Sequence, residues 1–261
     1  MSPCLRGEKL QSFSHSVKYS IIIPAYNERL RIAEGLDKVL AYLHEQKLDA
    51  EVIVVNDGSR DETPDIVRSY MAKNPEIRLL ENPGNRGKGY AVRHGMLEAN
   101  GEIRLLTDTD LSAPIYESKK LFAAIEDGAD VAVGSRWQRP GMQTRRQPFY
   151  RQITGRIFNG LNRLFLGLKL KDTQCGFKAF TRAAALSIFG ASQVDRWGWD
   201  PEALFLANRL QYRVVEIPVE WAHDDRSKIH PIRDGFSIVM DMMRVRWYHL
   251  RGDYAGLKRT E

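Results

Sequence analysis

Cysteine is scarce: only Cys4 and Cys175 occur in 261 residues, far apart and without CxxC spacing. A disulfide scaffold and a cysteine-based zinc site are therefore excluded, and a reducing compartment is the expected setting. Long apolar runs are missing too. The first eighteen residues hold no apolar signal-peptide core, and eighteen apolar residues never follow one another, so neither a secretory leader nor a membrane span is expected. The GxxxxGK[ST] phosphate loop is absent, as are helix-turn-helix, zinc-finger and RNP-type signatures, internal repeats and low-complexity tracts. Walker-type nucleotidases and the common nucleic-acid modules lose their usual marks.

What remains is a chain with 43% hydrophobic and 28% charged residues, the composition of a single globular domain. A formal net charge of +6 suits an acidic partner, whether nucleic acid, an anionic lipid surface or a phosphorylated small molecule. After a polar leader ending near Lys18, apolar runs at 19–23, 51–55, 77–80, 129–134 and 214–219 alternate with helical patterns. These patterns cover 29–46, the stretches following Thr63-Pro64 and Lys88, and those around 121–125, 153–168, 183–189 and 202. Such alternation predicts an α/β fold, a parallel sheet covered by helices, with Pro218 marking either an edge position or the end of the last strand. The Arg-, Gln-, Pro- and Gly-rich stretch 137–151 reads as a long functional loop. Residues 234–258 predict a basic amphipathic helix, suited to a membrane interface or to packing on the core.

Polar groups gather where strands end. Leu105-Leu106-Thr107 runs into Asp108-Thr109-Asp110, the strand at 51–55 into Asn56-Asp57-Gly58-Ser59, and the first strand into Pro24-Ala25-Tyr26-Asn27-Glu28. Open α/β sheets bind ligands at these carboxyl ends. Two carboxylates at i and i+2 can present hard oxygen ligands to Mg²⁺ or Mn²⁺, a Lewis acid for the charge that builds on a departing diphosphate. Between the 56–59 turn and the strand at Leu105, the glycines of Pro83-Gly84-Asn85-Arg86-Gly87-Lys88-Gly89 permit close backbone approach to an anion, while Arg86 and Lys88 add positive charge.

In order and spacing, the segments 21–28, 54–59, 85–89, 108–110 and 134–136 resemble the inverting family 2 glycosyltransferases of GT-A (Rossmann-like) fold. The resemblance covers roughly residues 18–230, a single GT-A domain, with 231–261 as a basic amphipathic helical tail that either belongs to it or anchors it to a membrane. The later segments 172–178, Arg196-Trp197 with Asp200 and Glu202, 216–219 with Trp221, and Ser227-Lys228 resemble the branch that glucosylates dolichyl phosphate. Gln193 to Trp197 also satisfies the QxxRW pattern of processive synthases. Without their upstream Thr-Glu-Asp-type motif and flanking membrane helices, that match is read as incidental.

The resemblance implies the following assignments. Pro24, Ala25, Tyr26, Glu28 and Asp57 hold the nucleoside of a nucleotide-sugar donor, with Lys88 and Thr109 beside it. Asp108 and Asp110 hold Mg²⁺ or Mn²⁺ and the diphosphate, and Ser112 falls at a further ligand position. The acceptor is a polyprenyl phosphate, already ionised, so Arg136, Lys178 and Lys228 screen its charge, with Arg145 or Arg146 as additions. Asp172 contacts metal or sugar or acts as base, and Asp200 contacts the sugar. The expected activity is inverting glucosyl transfer from UDP-glucose by a peripheral enzyme at the cytoplasmic face of a membrane. The alternatives are mannosyl transfer from GDP-mannose, a soluble acceptor, and non-catalytic binding of a sugar nucleotide or nucleic acid.

Overall fold

The computed structural model describes residues 17–137, 143–145, 149–222 and 231–260. Its centre is a seven-stranded sheet in the order β3-β2-β1-β4-β7-β5-β8, comprising β1 Tyr19–Ala25, β2 Ala50–Asn56, β3 Ile77–Glu81, β4 Ile103–Leu106, β5 Val131–Ser135, β7 Lys178–Thr181 and β8 Val214–Pro218. All neighbours pair in parallel except β7, which runs antiparallel to both β4 and β5. A two-stranded ribbon pairs β6 Gln143–Arg145 with β9 Trp221–Ala222. β8 is an edge strand and ends at Pro218, so both alternatives offered for that proline are met.

The apolar runs look continuous in sequence because both faces of the sheet are covered. Along β1, Ile21 and Ile23 join one apolar cluster and Ile22 the other, the period-two alternation of a strand. Helices α1 Ile32–Glu45, α2 Thr63–Met71 and α4 Ser118–Glu126 cover the Ile21 face with Leu36, Val39, Val67, Leu121 and Phe122. The Ile22 face is covered by α3 Lys88–Glu98, α5 Phe149–Leu166, α6 Arg182–Ala191, α7 Trp199–Arg209 and α8 Pro231–Arg251. Ile238, Met242 and Val245 of α8 enter this cluster, so the tail helix shares the core. It ends at Gly252, whose φ of 88° terminates a helix without steric cost.

Three elements depart from the sequence expectation. β7 is a strand where residues 171–178 suggested only a connection, because four residues starting with a buried lysine carry no readable alternation. The ribbon strand β6 lies within the stretch expected to be loop, and α5 starts at Phe149. The amino-terminal edge of the sheet is closed by Glu51, which accepts hydrogen bonds from Ser20 Oγ, Asn100 N and Arg78 Nη1 at 2.6–2.7 Å. Site residues converge on the opposite, carboxyl edge.

Candidate active site

Beyond β1 the chain turns at Asn27, with φ 54°, a left-handed conformation that asparagine tolerates. The turn is fixed to the β2 loop: Asn27 N donates to Ser59 Oγ at 2.9 Å, Arg60 N to Asn27 Oδ1 at 2.8 Å, and Glu28 N to Thr63 Oγ1 at 2.7 Å. The Glu28 carboxylate accepts from Arg31 Nε at 2.6 Å and Nη2 at 2.7 Å. Pro24 and Ala25 form the strand end itself, and Tyr26 beyond them is partly exposed. A cavity lined by residues 27–31, Arg60 and Asp61 opens beside this turn.

Asp57, at the end of β2, is 3% exposed and organises the glycine-rich loop. It accepts from Asn82 Nδ2 at 2.8 Å, Arg86 N at 3.0 Å and Gly87 N at 2.8 Å. Gly87 has φ 112°, and a Cβ there would lie 2.5 Å from the Asp195 carbonyl oxygen, so glycine is required twice over. Immediately after it, Lys88 starts α3 and reaches Asp108 Oδ1 at 2.5 Å. Burial opposes the charge on Lys88, but Asp108 and Asp200 outweigh it and raise the lysine's pKa.

At the end of β4, Thr109 Oγ1 donates to the Pro24 carbonyl at 3.2 Å, linking two strand ends. Asp110 Oδ1 accepts from Ser112 N at 2.9 Å, and Arg31 Nη1 lies 3.5 Å from Asp110 Oδ2. Burial and the charge of Asp108 push the Asp110 carboxyl up. Between Asp110 and Ser112, Leu111 adopts φ 47°, which costs roughly 1–2 kcal/mol for a residue with a Cβ. Gly176 closes the turn from above: a Cβ there would fall 2.2 Å from Asp108 Oδ2. Gly176→Ala is therefore expected to displace Asp108 and weaken Mn²⁺-dependent UDP binding about fivefold or more, since such overpacking costs typically 1–3 kcal/mol. Calorimetric titration would measure it; unchanged affinity would refute the contact.

The third group lies at the end of β5. Arg136 donates to Asp172 from Nε at 2.7 Å, Nη2 at 2.8 Å and its backbone N at 3.0 Å, while Asp172 N donates to Glu216 Oε1 at 2.8 Å. The guanidinium also lies over Trp221, 5.4 Å from the ring centroid. Burial alone would raise the Asp172 carboxyl, but the charge and hydrogen bonds of Arg136 outweigh it and hold it below the ordinary carboxylate range. Lys178 is wholly buried; its ammonium donates to Asp200 Oδ1 and the Cys175 carbonyl and presents no surface to an acceptor. Burial pushes the Cys175 thiol up to about 12, leaving it an inert packing group.

The expected residues Pro24, Ala25, Tyr26, Glu28, Asp57, Lys88, Asp108, Thr109, Asp110, Ser112, Arg136, Asp172, Lys178 and Asp200 thus stand at or behind one sheet edge. Lys228 and Arg146 lie outside the described residues, and Arg145 is placed by its backbone, opposite Ala222 in the ribbon. Three participants had no assigned role: Arg31, Asn82 and Glu216. Arg31, three residues after Glu28, fits the i,i+3 spacing of a helical ion pair and could have been found; Asn82 carries no such local signal, and Glu216 lies in the 216–219 segment without a role that its neighbours reveal. Among the described residues no three His, Cys, Asp or Glu side chains form a metal-ligand group. The pair Asp108 and Asp110 fits instead a hard cation that completes its shell with diphosphate oxygens and water, as Mg²⁺ does, and not tetrahedral zinc.

A mostly parallel sheet of this order, with an acidic strand-end pair facing a basic glycine-rich loop, is the arrangement expected of the GT-A glycosyltransferases that the sequence resembles. The family model described as Glycosyl transferase family 2 matches residues 20–189, and the chain belongs to that family. It is 39% identical over 92% of its length to the dolichyl-phosphate beta-glucosyltransferase ALG5C of Trichomonas vaginalis, covering 74% of that protein. It is 36% identical over 95% of its length to the dolichyl-phosphate beta-glucosyltransferase of Drosophila melanogaster, covering 81% of it. Among solved structures, the glucosyl-3-phosphoglycerate synthase of Mycobacterium tuberculosis, in complex with Mn²⁺, UDP-glucose and phosphoglyceric acid, superposes with a TM-score of 0.65. That match covers 88% of this chain and 80% of the other, at 17% identity, and extends to the fold.

Proposed function

We propose that this enzyme transfers glucose, with inversion, from UDP-glucose to a dolichyl-type polyprenyl phosphate while lying on the cytoplasmic face of a membrane. The observation that carries this reading is the Asp108–Asp110 pair beside Lys88, in a chain 39% identical to a dolichyl-phosphate beta-glucosyltransferase. In this reading the Pro24-to-Glu28 turn, Thr109 and the Asp57-braced loop receive the nucleoside. Asp108 and Asp110 hold Mg²⁺ or Mn²⁺, with Ser112 orienting Asp110. The bound cation supplies Lewis-acid stabilisation of the leaving diphosphate.

Lys88 adds positive charge at the same point. An acceptor phosphate oxygen, ionised at neutral pH, forms a bond to the anomeric carbon as the bond to the diphosphate breaks, so no general base is needed. Three hydrogen bonds to Asp172 aim Arg136, which screens the approach of the two anions. Asp172 acts here as the holder of Arg136, and Lys178 as the holder of the sugar-facing Asp200. Lys228 is assigned to the acceptor phosphate.

No helix among the described residues is long and apolar enough to cross a membrane. Surface binding is instead assigned to α8, where Met240, Met243, Trp247 and Leu250 are exposed. At ~100° per residue they fall within roughly 80° of the helix circumference, with Arg244 and Arg251 on one border and Arg246 on the other. An apolar stripe edged by arginines fits an anionic lipid interface.

Purified enzyme with Mn²⁺ and a short polyprenyl phosphate is expected to release UDP from UDP-glucose and to leave GDP-mannose untouched. Met243→Ser with Trp247→Ser is expected to lower binding to anionic vesicles severalfold while sparing turnover of detergent-dispersed acceptor. Deleting α8 would not be an equivalent test, because Ile238, Met242 and Val245 are core residues. Turnover with GDP-mannose alone, or thermal stabilisation by an oligonucleotide and not by UDP with Mn²⁺, would overturn the reading.

A further inference from the structure

The segment 193–200, between α6 and α7, supplies none of the acidic clamp, yet both halves of the site rest on it. Its carbonyls receive the amides that open α3: Gly89 N donates to Arg196 O at 3.2 Å and Tyr90 N to Asp195 O at 2.9 Å. These bonds seat Lys88 against Asp108. At its other end the segment enters α7 at Trp199 and Asp200, and Asp200 pairs with the buried Lys178.

Two buried carboxylates hold this segment, and both connect it to the C-terminal region. Glu202, wholly buried, accepts from Gln193 N at 2.8 Å and Val194 N at 2.9 Å, and from the Tyr254 hydroxyl at 2.6 Å. Asp241 of α8, 3% exposed, accepts from Gly198 N at 3.2 Å and is held by Arg244 at 3.0 Å. The approach of α8 leaves no room for a side chain at residue 198: a Cβ on Gly198 would lie 2.2 Å from Asp241 Cβ.

We propose that Asp241 and Tyr254 are positioning residues for the reaction: α8 and the turn after it brace segment 193–200, and through that segment set both Lys88 and the Lys178–Asp200 pair. The helix assigned above to the lipid surface and the turn that follows it are thereby joined to the diphosphate clamp by one hydrogen-bonded link each. Removing the Asp241 acceptor strands the buried Gly198 amide, a cost the segment relieves by moving. Small displacements of aligned groups reduce rate steeply, about a hundredfold for 1 Å.

The inference rests on the transferase reading for its kinetic assay, so a second readout is independent of turnover. In the full-length protein, Asp241→Ala is expected to lower kcat about 10–100-fold with less than about threefold change in donor KM. Asp241→Asn, which keeps an acceptor oxygen for Gly198 N, is expected to restore most of the rate. Hydrogen exchange at the Gly89, Tyr90 and Gly198 amides is expected to accelerate in Asp241→Ala and in Tyr254→Phe, but not in Asp241→Asn. Unchanged exchange at these amides in Asp241→Ala and Tyr254→Phe would overturn the proposal whatever the activity. So would equal loss of rate in both Asp241 variants, which would point to lost charge or packing instead of the acceptor bond. A wild-type enzyme that transfers no glucose, yet shows the exchange pattern, would count against the assigned reaction and not against the brace.

Discussion

Asp110→Asn is expected to lower glucosyl transfer about 10²–10³-fold, the loss seen when one group that stabilises transition-state charge is removed, while leaving the protein folded. The geometry supports both halves of that expectation. Asp110 is held by Ser112 N at 2.9 Å, so asparagine can occupy the same turn and keep an oxygen for that amide. Asp108 and Asp110 are like charges two residues apart, opposed by Lys88 and Arg31. Neutralising one relieves repulsion within the turn, and the melting temperature in metal-free buffer is expected to stay level or rise. The same experiment in UDP and Mn²⁺ should stabilise the wild type and fail to stabilise Asp110→Asn. Metal-dependent turnover retained by the variant would contradict the assignment of Asp110 to the cation.

Asp172→Ala is expected to destabilise the fold by about 3–5 kcal/mol, the cost of leaving a buried charge without its partner, and to abolish transfer with it. Asp172 has 1% of its side chain exposed and Arg136 13%, so water cannot take over the lost hydrogen bonds. Replacing both partners, Arg136→Met with Asp172→Leu, is expected to recover most of the urea midpoint without recovering activity. Transfer at the wild-type rate by the double variant would show that Arg136 does not screen the acceptor. The pH dependence has a definite sign. Because Arg136 holds the folded Asp172 carboxyl below its unfolded value, the stability from this pair is complete above the ordinary Asp range, around pH 4. It is lost only as pH falls through the lowered folded value. The wild type should therefore lose stability more steeply in acid than the double variant.

Much of this site is written locally. The strands at 19–25, 50–56 and 103–106 are covered on both faces, and each therefore carries an apolar run, at 21–23, 52–55 and 105–106, that leads into polar residues at its carboxyl end. Asp57, Asp108 and Asp110 could be placed on a common edge for that reason, since parallel strands of a sheet present their carboxyl ends together. The roles of the later cations were not legible in the same way. Lys178 looked like an acceptor-facing charge, but β7 enters antiparallel between β4 and β5 and turns its ammonium inward to Asp200. Neither the strand's direction nor its place in the sheet is encoded in four residues.

The chain alone therefore determined the α/β class, the acidic strand-end pair, the glycine-rich loop and the apolar face of α8, because each depends on periodicity or chemistry among near neighbours. Only the tertiary structure decided which carboxylate holds which cation, Lys88 with Asp108, Arg136 with Asp172 and Lys178 with Asp200. The same holds for the two links that join α8 and Tyr254 to the segment behind the site. Those pairings bridge residues far apart in sequence, and their energies follow from burial and distance, which exist only once the sheet order is set.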